Sequence, residues 1–339
     1  MKTRLRDLGI RVGEFETGPL NKITDVEGIL VGHVSLISDH PTKIRTGVTV
    51  IDFSEDPYES PLSAGVFVLN GYGKSTGLIQ VEELGQIETP LAMTGTFSVG
   101  QVFEGMVRHM LHIHPEIRSV NPIVLECNDG FLNDISHPSV RPEHVFKALE
   151  NACEDFELGS VGAGTGMISF GYKGGIGSSS RVVEIDGIKY TVGTLVLNNY
   201  GRAKDFRFFG KSLSSPFNPK DTAGSIIMIL ATDIPLTSRQ LKRLCRHAML
   251  ALGRIGTPGY TSSGDICLAL STGFRWKKNG KISVELIPDS NPEFNRIFSA
   301  VVDTVEESIY DSLICAEPMD GYKGKIEAFP LETITKDTP

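Results

Sequence analysis

The sequence has no excess of basic residues, no long apolar run and no clustered cysteines. Its 339 residues include 33 Lys and Arg against 41 Asp and Glu, which gives a formal net charge of −8. Because nucleic acids and anionic membrane surfaces are bound through basic patches, this charge disfavours both partners. No apolar run approaches the length of a membrane-spanning helix. The charged N-terminus also lacks the apolar segment of a secretory signal, so we expect a soluble protein that binds neither nucleic acid nor membrane.

Cysteine is sparse and scattered, with five residues in the chain and no CxxC pair. Structural zinc sites usually draw on such pairs, and disulfide frameworks usually have an even number of cysteines. An odd, unclustered set is typical of reduced thiols. We therefore expect the protein to be cytoplasmic.

Two motifs imitate a cofactor or metal site. The sequence GAGTG at 162–166 resembles half of a dinucleotide fingerprint, but its third glycine comes one position early and no strand is predicted before it. His109, His112 and His114 have the spacing of metal ligands, but they fall at the end of an amphipathic helix that Pro115 terminates. A solvent-exposed helix end is the better interpretation, and we expect neither a metal nor a cofactor.

Apolar patterns predict strands rich in Val and Ile and a smaller number of amphipathic helices. Several strands are apolar on both faces, which indicates sheets covered on both sides. Strands and helices do not alternate regularly, which disfavours a doubly wound parallel fold and favours an α+β sandwich with helices on its outer faces. The predicted strands are 47–53, 64–69, 122–126, 181–185, 190–197, 225–232, 266–272 and 282–287. The predicted helices are 102–111, 143–153, 238–252 with Thr237 or Ser238 as the N-cap, and 294–309 opened by Asn291 and Pro292.

Gly224 and Ser225 are the most informative pair in the chain, because a hydroxyl opens a buried strand directly after a glycine. The polar segment 218–223 precedes them and the apolar run 226–231 follows. A serine in that position can attack the preceding carbonyl, cut the chain and become a new N-terminus whose own amine serves as base. This is the logic of an N-terminal-nucleophile hydrolase. The alternative is a turn glycine followed by an ordinary strand-edge serine.

Three further segments carry polar side chains at the ends of predicted strands. Ser263 and Asp265 in SSGD (262–265) pair a hydroxyl with a carboxylate that can orient a nucleophile. Asn199 in NNYG (198–201) has an amide that can donate to a developing oxyanion. Glu126 begins ECNDGFLND (126–134), in which three carboxylates and two amides could attract a substrate ammonium group. Each segment taken alone is also compatible with a polar turn.

Taken together and in this order, the motifs resemble the DmpA-type aminopeptidases, also called L-aminopeptidase/D-esterases or β-peptidyl aminopeptidases. The resemblance runs nearly from end to end. The matching segments are NKITDVEG (21–28), VGH (31–33), TGVT (46–49), LNGYG (69–73), DGFLND (129–134), GAGTG (162–166), KGGIG (173–177), NYG (199–201), GSII (224–227) and SGD (263–265).

This resemblance implies a four-layer αββα sandwich like that of N-terminal-nucleophile hydrolases, in one domain spanning 1–339. It implies self-cleavage between Gly224 and Ser225 into associated 1–224 and 225–339 chains, a homotetrameric assembly and no metal. It further implies that an N-terminal residue is released from short peptides, amides or esters through an acyl-enzyme on Ser225.

The resemblance also assigns the remaining site residues. Ser263 and Asp265 would assist Ser225 by hydrogen bonding, and Asn199 would help form the oxyanion hole. The substrate would be bound by Glu126, Asn128 and Asn70, with Glu126 holding its amine. Relatives often carry an aromatic residue where this chain has Asn128, and some carry glutamate where it has Asp265. The first difference predicts weaker peptidase activity more than it predicts any loss of self-cleavage.

Three other functions remain open at the level of sequence. An acyltransferase could use the same self-cleaving scaffold, although the ornithine acetyltransferases use threonine as nucleophile where this chain has Ser225. A catalytically weak binding or assembly protein is made plausible by Asn128. A nicotinamide-dependent oxidoreductase rests only on the glycines at 162–166.

Overall fold

The computed structural model describes residues 3–213, 224–279 and 281–332. The polar segment 218–223 that precedes Gly224 lies outside the described residues. The helices are α1 (Leu78–Leu84), α2 (Val99–Ile113), α3 (Glu143–Glu150), α4 (Ser238–Ile255) and α5 (Phe294–Ile314). The strands are β1 (Ile29–Ser38), β2 (Ile44–Phe53), β3 (Leu62–Gly71), β4 (Gln86–Ile87), β5 (Leu91–Gly95), β6 (Ile123–Cys127), β7 (Ile168–Ser169), β8 (Tyr172–Lys173), β9 (Gly175–Ile185), β10 (Ile188–Asn199), β11 (Arg207–Phe208), β12 (Lys211–Ser212), β13 (Ser225–Thr232), β14 (Gly264–Arg275), β15 (Met319–Asp320) and β16 (Lys325–Ile326).

Two large sheets organise these strands. The four-stranded sheet has the order β1-β2-β5-β6, and the six-stranded sheet has the order β4-β3-β14-β13-β10-β9. Neighbours are antiparallel except for the parallel pairs β5 with β6 and β13 with β14. The strand that begins at Ser225 therefore lies in the interior of the larger sheet, with neighbours on both sides.

Side-chain packing divides the molecule into four layers. Along β13, Ile227 and Ile229 point into a core shared with the four-stranded sheet, whereas Met228 and Leu230 point into a core shared with α4 and α5. A third core lies between the outer face of the four-stranded sheet and helices α2 and α3. Because both faces of β13 are covered, its sequence is apolar at every position after Ser225 until Thr232. The predicted αββα sandwich is confirmed.

A buried ionic network attaches the N-terminal part of the chain to α5. Glu307 accepts hydrogen bonds from Arg6 Nε (2.9 Å) and Asn21 Nδ2 (2.6 Å), and it pairs with Arg181. The side chains of Arg181 and Glu307 are fully buried. One helix turn further on, Asp311 accepts from Arg4 Nε at 2.8 Å. Buried charges of this kind are tolerated only when they are paired, so the network requires both parts of the chain.

Several element predictions need correction. The segment 282–287 alternates apolar and polar residues but forms no strand, because none of the described strands pairs with it. Ile287 is instead held by Gln240 of α4, whose Nε2 donates to its carbonyl at 2.8 Å. Helix α5 begins at Phe294 with Glu293 at the cap position, and Asn291 forms a turn before it. The N-cap of α4 is Thr237, which was one of the two predicted alternatives, so this prediction needs no correction.

Candidate active site

The registers of the six-stranded sheet bring the polar strand ends together. Asn199, the last residue of β10, lies opposite Ser225, the first residue of β13. On the other side, Ile226 is paired with Asp265 of β14, and Asp265 is paired with Asn70 of β3. Residues separated by up to 195 positions along the chain thus meet at one end of the sheet.

Ser225 is held by contacts from its own sheet and from the facing sheet. Its Oγ accepts a hydrogen bond from the backbone N–H of Gly264 at 3.0 Å, and the residue is only 8% exposed. Its carbonyl accepts a weak bond from Cys127 Sγ at 3.3 Å, which links β13 to the end of β6. A backbone N–H donated to a serine oxygen stabilises negative charge on it, so this position favours an attacking alkoxide.

A short chain of hydrogen bonds leads from the Gly224 carbonyl to β3. The Ser263 hydroxyl contacts both the Gly224 carbonyl oxygen and Asp265 Oδ1, the latter at 2.5 Å. Asn70 Nδ2 donates to the other oxygen, Asp265 Oδ2, at 2.8 Å. Burial raises the pKa of the Asp265 carboxyl above its ordinary value. Because a hydroxyl has one proton, Ser263 donates either to the Gly224 carbonyl oxygen or to Asp265 Oδ1 at any one time.

The amide of Asn199 is fixed in orientation. Its Oδ1 accepts from the Ile168 N–H at 2.9 Å, and its Nδ2 donates to the Asn128 carbonyl at 3.1 Å. The second N–H of the same amide remains to donate. Asn199 also lies directly against Gly224, since a Cβ placed on Gly224 would stand 1.7 Å from the Asn199 carbonyl oxygen and 3.0 Å from its Nδ2. Only glycine fits there.

A cavity of about 410 Å³ opens over these residues. Its lining contains Gly224, Ser225 and Asn199, together with side chains from both sheets and from the loops around them. The further lining residues are Tyr72, Lys74, Glu126, Asn128, Gly130, Phe131, Ile135, Ile168, Gly171, Gly201, Arg202, Ala203, Ser262 and Lys323. Concave sites of this size typically bind small molecules.

Glu126 is the carboxylate in this cavity. It is buried, and its Oε1 accepts from the Lys74 backbone N–H at 3.0 Å while the Lys74 ammonium lies 4.0 Å away. Its other oxygen, Oε2, is buried and has no hydrogen-bond partner among the residues that the structure describes. A buried carboxylate oxygen without a partner is costly, so Glu126 is suited to receive a cationic group from a ligand.

Asn128 also lines the cavity, and its side chain is exposed. Its Oδ1 accepts a hydrogen bond from the Gly130 N–H at 2.8 Å. This bond fixes the orientation of the side-chain amide, with Nδ2 on the side opposite Gly130. Phe131 lies further along the same wall. This part of the wall therefore offers an amide and an apolar ring.

Most of the site residues expected from the sequence come together here. Gly224, Ser225, Asn199, Glu126 and Asn128 line the cavity, and Ser263 and Asp265 lie behind Gly224 and Ser225. Asn70 is placed behind Asp265 and is not part of the cavity wall in the described structure.

Sequence reasoning missed several contacts of the site. The Gly264 N–H carries no side-chain signal, and only the pairing of β13 with β14 reveals it. Tyr72, Lys74, Arg202 and Lys323 come from loops, and their convergence depends on tertiary structure. Tyr72 lies within the LNGYG motif (69–73) and Arg202 directly follows NNYG (198–201), and these positions are a signal that could have indicated both residues.

The histidines and glycines that imitate metal or cofactor motifs lie elsewhere. His114 pairs with Asp56 at 2.7 Å, and with Glu59 and Glu116 it forms a group at metal-ligand spacing within the described residues. None of these four residues lines the cavity around Ser225. The glycines of Gly162–Gly166 form a buried 3-10 turn. In the described part of the chain, no helix combines the length and apolarity needed to cross a membrane.

Comparison with known proteins places the chain among peptidases. The model of Peptidase family S58 matches residues 21–327. The β-peptidyl aminopeptidase BapA of Sphingosinicella microcystinivorans is 37% identical over 350 residues, covering 95% of this chain and 88% of that protein.

Solved structures agree closely over the whole fold. The PH0078 protein of Pyrococcus horikoshii is 46% identical with a TM-score of 0.93, covering 98% of this chain and 97% of that one. The L-aminopeptidase D-Ala-esterase/amidase of Ochrobactrum anthropi, described as a prototype of the serine aminopeptidases with a variant Ntn-hydrolase fold, is 36% identical with a TM-score of 0.93 and the same coverage. The resemblance drawn from the sequence motifs is thus confirmed. The chain belongs to Peptidase family S58 and is a hydrolase of the aminopeptidase and amidase class.

Proposed function

We propose that the chain cuts itself between Gly224 and Ser225 and then works as a serine aminopeptidase with Ser225 as its N-terminal nucleophile. One observation carries the proposal. The Ser225 hydroxyl, the Gly224 carbonyl, the Ser263–Asp265 pair and the Asn199 amide all meet at the end of β13, on the wall of one cavity or directly behind it.

The cut proceeds by attack of Ser225 Oγ on the Gly224 carbonyl carbon. Ser263 donates to the Gly224 oxygen and so stabilises the charge that develops on it. The C–N bond breaks as an ester forms between Gly224 and Ser225 Oγ, and the nitrogen takes up the proton lost from the hydroxyl. Water then hydrolyses the ester, leaving the Gly224 carboxylate and a free amine on Ser225.

Turnover reuses the same groups. The freed Ser225 amine, whose ordinary pKa is about 7.7–8.0, is a suitable base near neutral pH. It accepts the Oγ proton as Oγ attacks the substrate carbonyl, and the leaving amine departs with a proton. The second N–H of Asn199 donates to the oxyanion, and Gly264 N–H supports Oγ. Water releases the acyl group.

The substrate is held by its amino terminus. Glu126 has a buried carboxylate oxygen without a partner in the described structure, and an ammonium group would supply one. This favours release of a single N-terminal residue from short peptides, amides or esters. Relatives whose names specify β-peptidyl and L-aminopeptidase or D-Ala-esterase activity support that substrate class.

Assembly and compartment belong to the same proposal. We expect a homotetramer in which the 1–224 and 225–339 chains stay associated. The buried network of Arg4, Arg6 and Arg181 with α5 joins the two parts and supports their association. None of the five cysteines, all of which lie in the described residues, forms a disulfide, which supports a reducing, cytoplasmic environment.

Intact mass spectrometry of the purified protein tests the cut. We expect two species, 1–224 and 225–339, and a single uncut chain for Ser225→Ala. A wild-type chain that stays whole after long incubation would exclude self-cleavage.

A panel of aminoacyl p-nitroanilides and an acylated amino acid tests the reaction of the processed protein. Hydrolysis of the anilides supports the aminopeptidase. Acyl transfer without hydrolysis would point to an acyltransferase, and neither reaction would point to a binding or assembly protein.

A further inference from the structure

The charges around the active-site cavity are opposite in sign to those of the whole chain. The chain has a formal net charge of −8. Within the described residues, however, the charged side chains that line the cavity are three cations, Lys74, Arg202 and Lys323, and one carboxylate, Glu126. A positive cavity in an acidic protein indicates an anionic group on the ligand, because such a cavity concentrates anions and repels cations.

The aminopeptidase reaction accounts for only part of this set. Glu126 is the group that fits the substrate ammonium, and Lys74 lies 4.0 Å from it and moderates its charge. The reaction proposed above uses neither Arg202 nor Lys323 to bind the amine or to transfer the acyl group. They are the residues that fit an anion carried elsewhere on the same substrate.

The side chain of Arg202 and the backbone of Lys323 are each held in place by neighbouring residues. The Arg202 guanidinium lies 3.7 Å from the centre of the Tyr260 ring, and Tyr260 Oη donates to Asp205 at 2.6 Å. Stacking of this kind limits the rotation of a guanidinium and prepares it for a planar, two-oxygen ligand.

Lys323 is fixed through its backbone. Its N–H donates to the Phe131 carbonyl at 2.9 Å, and the preceding N–H donates to the Leu132 carbonyl at 2.8 Å. The short hairpin of β15 and β16 therefore holds Lys323 against the segment that forms the cavity wall. Its side chain is exposed and extends the positive rim toward solvent.

We infer that the cavity selects short peptides with a free C-terminal carboxylate, which Arg202 and Lys323 bind while Glu126 binds the N-terminal ammonium. This inference rests on the proposed function and specifies its substrate class. The volume of about 410 Å³ accommodates both ends of a short peptide, whereas a long chain would carry its carboxylate beyond these residues. Among the substrates of the proposed reaction, the zwitterionic dipeptide or tripeptide is thus preferred over its amide, its ester or a longer chain.

The test compares a dipeptide with its own C-terminal amide, using the self-cleaved enzyme and measuring the released N-terminal amino acid by chromatography. The scissile bond and the ammonium group are the same in both, so the ratio of their kcat/KM values compares the carboxylate with its amide, and the variants below isolate the part due to carboxylate binding. We expect the free acid to be preferred about tenfold or more, since a charged hydrogen bond at a half-exposed site has that effect.

Variants assign the preference to residues. Arg202→Gln and Lys323→Ala should each raise KM for the free acid several-fold and leave the amide nearly unchanged. Lys325→Ala is the matched control, because Lys325 lies on the same hairpin, is exposed, pairs with Glu327 at 2.7 Å and does not line the cavity. It should leave the ratio at the wild-type value. Because the Lys323 side chain is exposed, Lys323→Ala is expected to fold. It therefore still tests the inference if Arg202→Gln fails to fold.

Each result decides one question. A wild-type ratio near one, or a preference for the amide, overturns this inference while p-nitroanilide hydrolysis leaves the aminopeptidase intact. A preference for the acid that survives in both variants also overturns it. If the cleaved protein hydrolyses no peptide, amide or anilide, the proposed function and this inference fall together.

Discussion

Replacing Ser263 by Ala should slow self-cleavage without changing the fold. Ser263 is the described side chain that contacts the Gly224 carbonyl oxygen, and its Oγ lies 2.5 Å from Asp265 Oδ1. The variant removes the donor at the oxygen where charge develops during attack by Ser225. It leaves the Gly264 N–H on Ser225 Oγ in place, so the nucleophile keeps its position.

The size of the effect follows from what is removed. One preorganised donor to a developing oxyanion contributes about 2.7–4 kcal/mol, or about 10²–10³ in rate. Ser263 is buried, and so is Asp265 behind it. Water therefore has little room to replace the lost hydroxyl, and the upper part of that range applies.

The assay is a time course of intact mass, starting from freshly expressed chain, with the uncut fraction as the readout. Ser262→Ala is the control: it removes the adjacent hydroxyl, which lines the cavity but makes no hydrogen bond to Gly224 among the described contacts. We expect wild-type cutting in the control and a slowing of about a thousandfold in Ser263→Ala. Equal rates in the two variants would refute the role given to Ser263.

Three other substitutions test separate parts of the structure. Gly224→Ala should prevent self-cleavage, because its Cβ would stand 1.7 Å from the Asn199 carbonyl oxygen and displace residue 224 from its position beside Ser225. Intact mass spectrometry should then show uncut chain. In the uncut Ser225→Ala background, Glu307→Ala should lower the free energy of unfolding by about 3–5 kcal/mol in urea, because it leaves buried Arg181 unpaired; a change below 1 kcal/mol would contradict the network. Burial raises the pKa of Asp129 to about 6, so this group makes the fold less stable as pH rises from about 4 through 6. The free energy of unfolding of Asp129→Asn, relative to that of wild type, should therefore rise by about 1–2 kcal/mol from pH 5 to pH 8. A difference that does not change with pH would show that folding does not raise the pKa of Asp129.

The sequence predicted the elements whose pattern is strong and local. The bounds of β13 agree at both ends, because an unbroken apolar run bounded by a polar loop leaves little freedom. Helix α4 begins where it was predicted, with its N-cap at Thr237, and it continues to Ile255, three residues beyond the predicted end. The longer β14 and β10 extend beyond their predicted bounds, since pairing with neighbours continues a strand through residues that are not apolar.

The strand predictions were wrong or incomplete where a strand depends on pairing with a neighbouring strand. β1 and β5 were not predicted, and they are completed by pairing with β2. The segment 282–287 has a strand-like pattern but lies where no described strand can bond to it. In both cases the backbone hydrogen bonds, which a sequence pattern does not specify, decide the outcome.

The site shows the same division. Gly224, Ser225, Asn199, Ser263, Asp265 and Glu126 could be predicted from residue types and from the order of motifs along the chain. The Gly264 N–H on Ser225 Oγ and the fixed amide of Asn199 could not, because a backbone donor carries no side-chain identity.

By itself the sequence determined that a glycine and a serine open a buried strand, and that hydroxyl, amide and carboxylate residues follow in a specific order. Those facts depend on residue chemistry and local pattern alone. The tertiary structure decided which atoms meet: the registers of β10, β13 and β14 set Asn199, Ser225 and Asp265 side by side. It also gave the cavity its positive rim, because Arg202 and Lys323 come from distant loops that only the packing of both sheets brings to one wall.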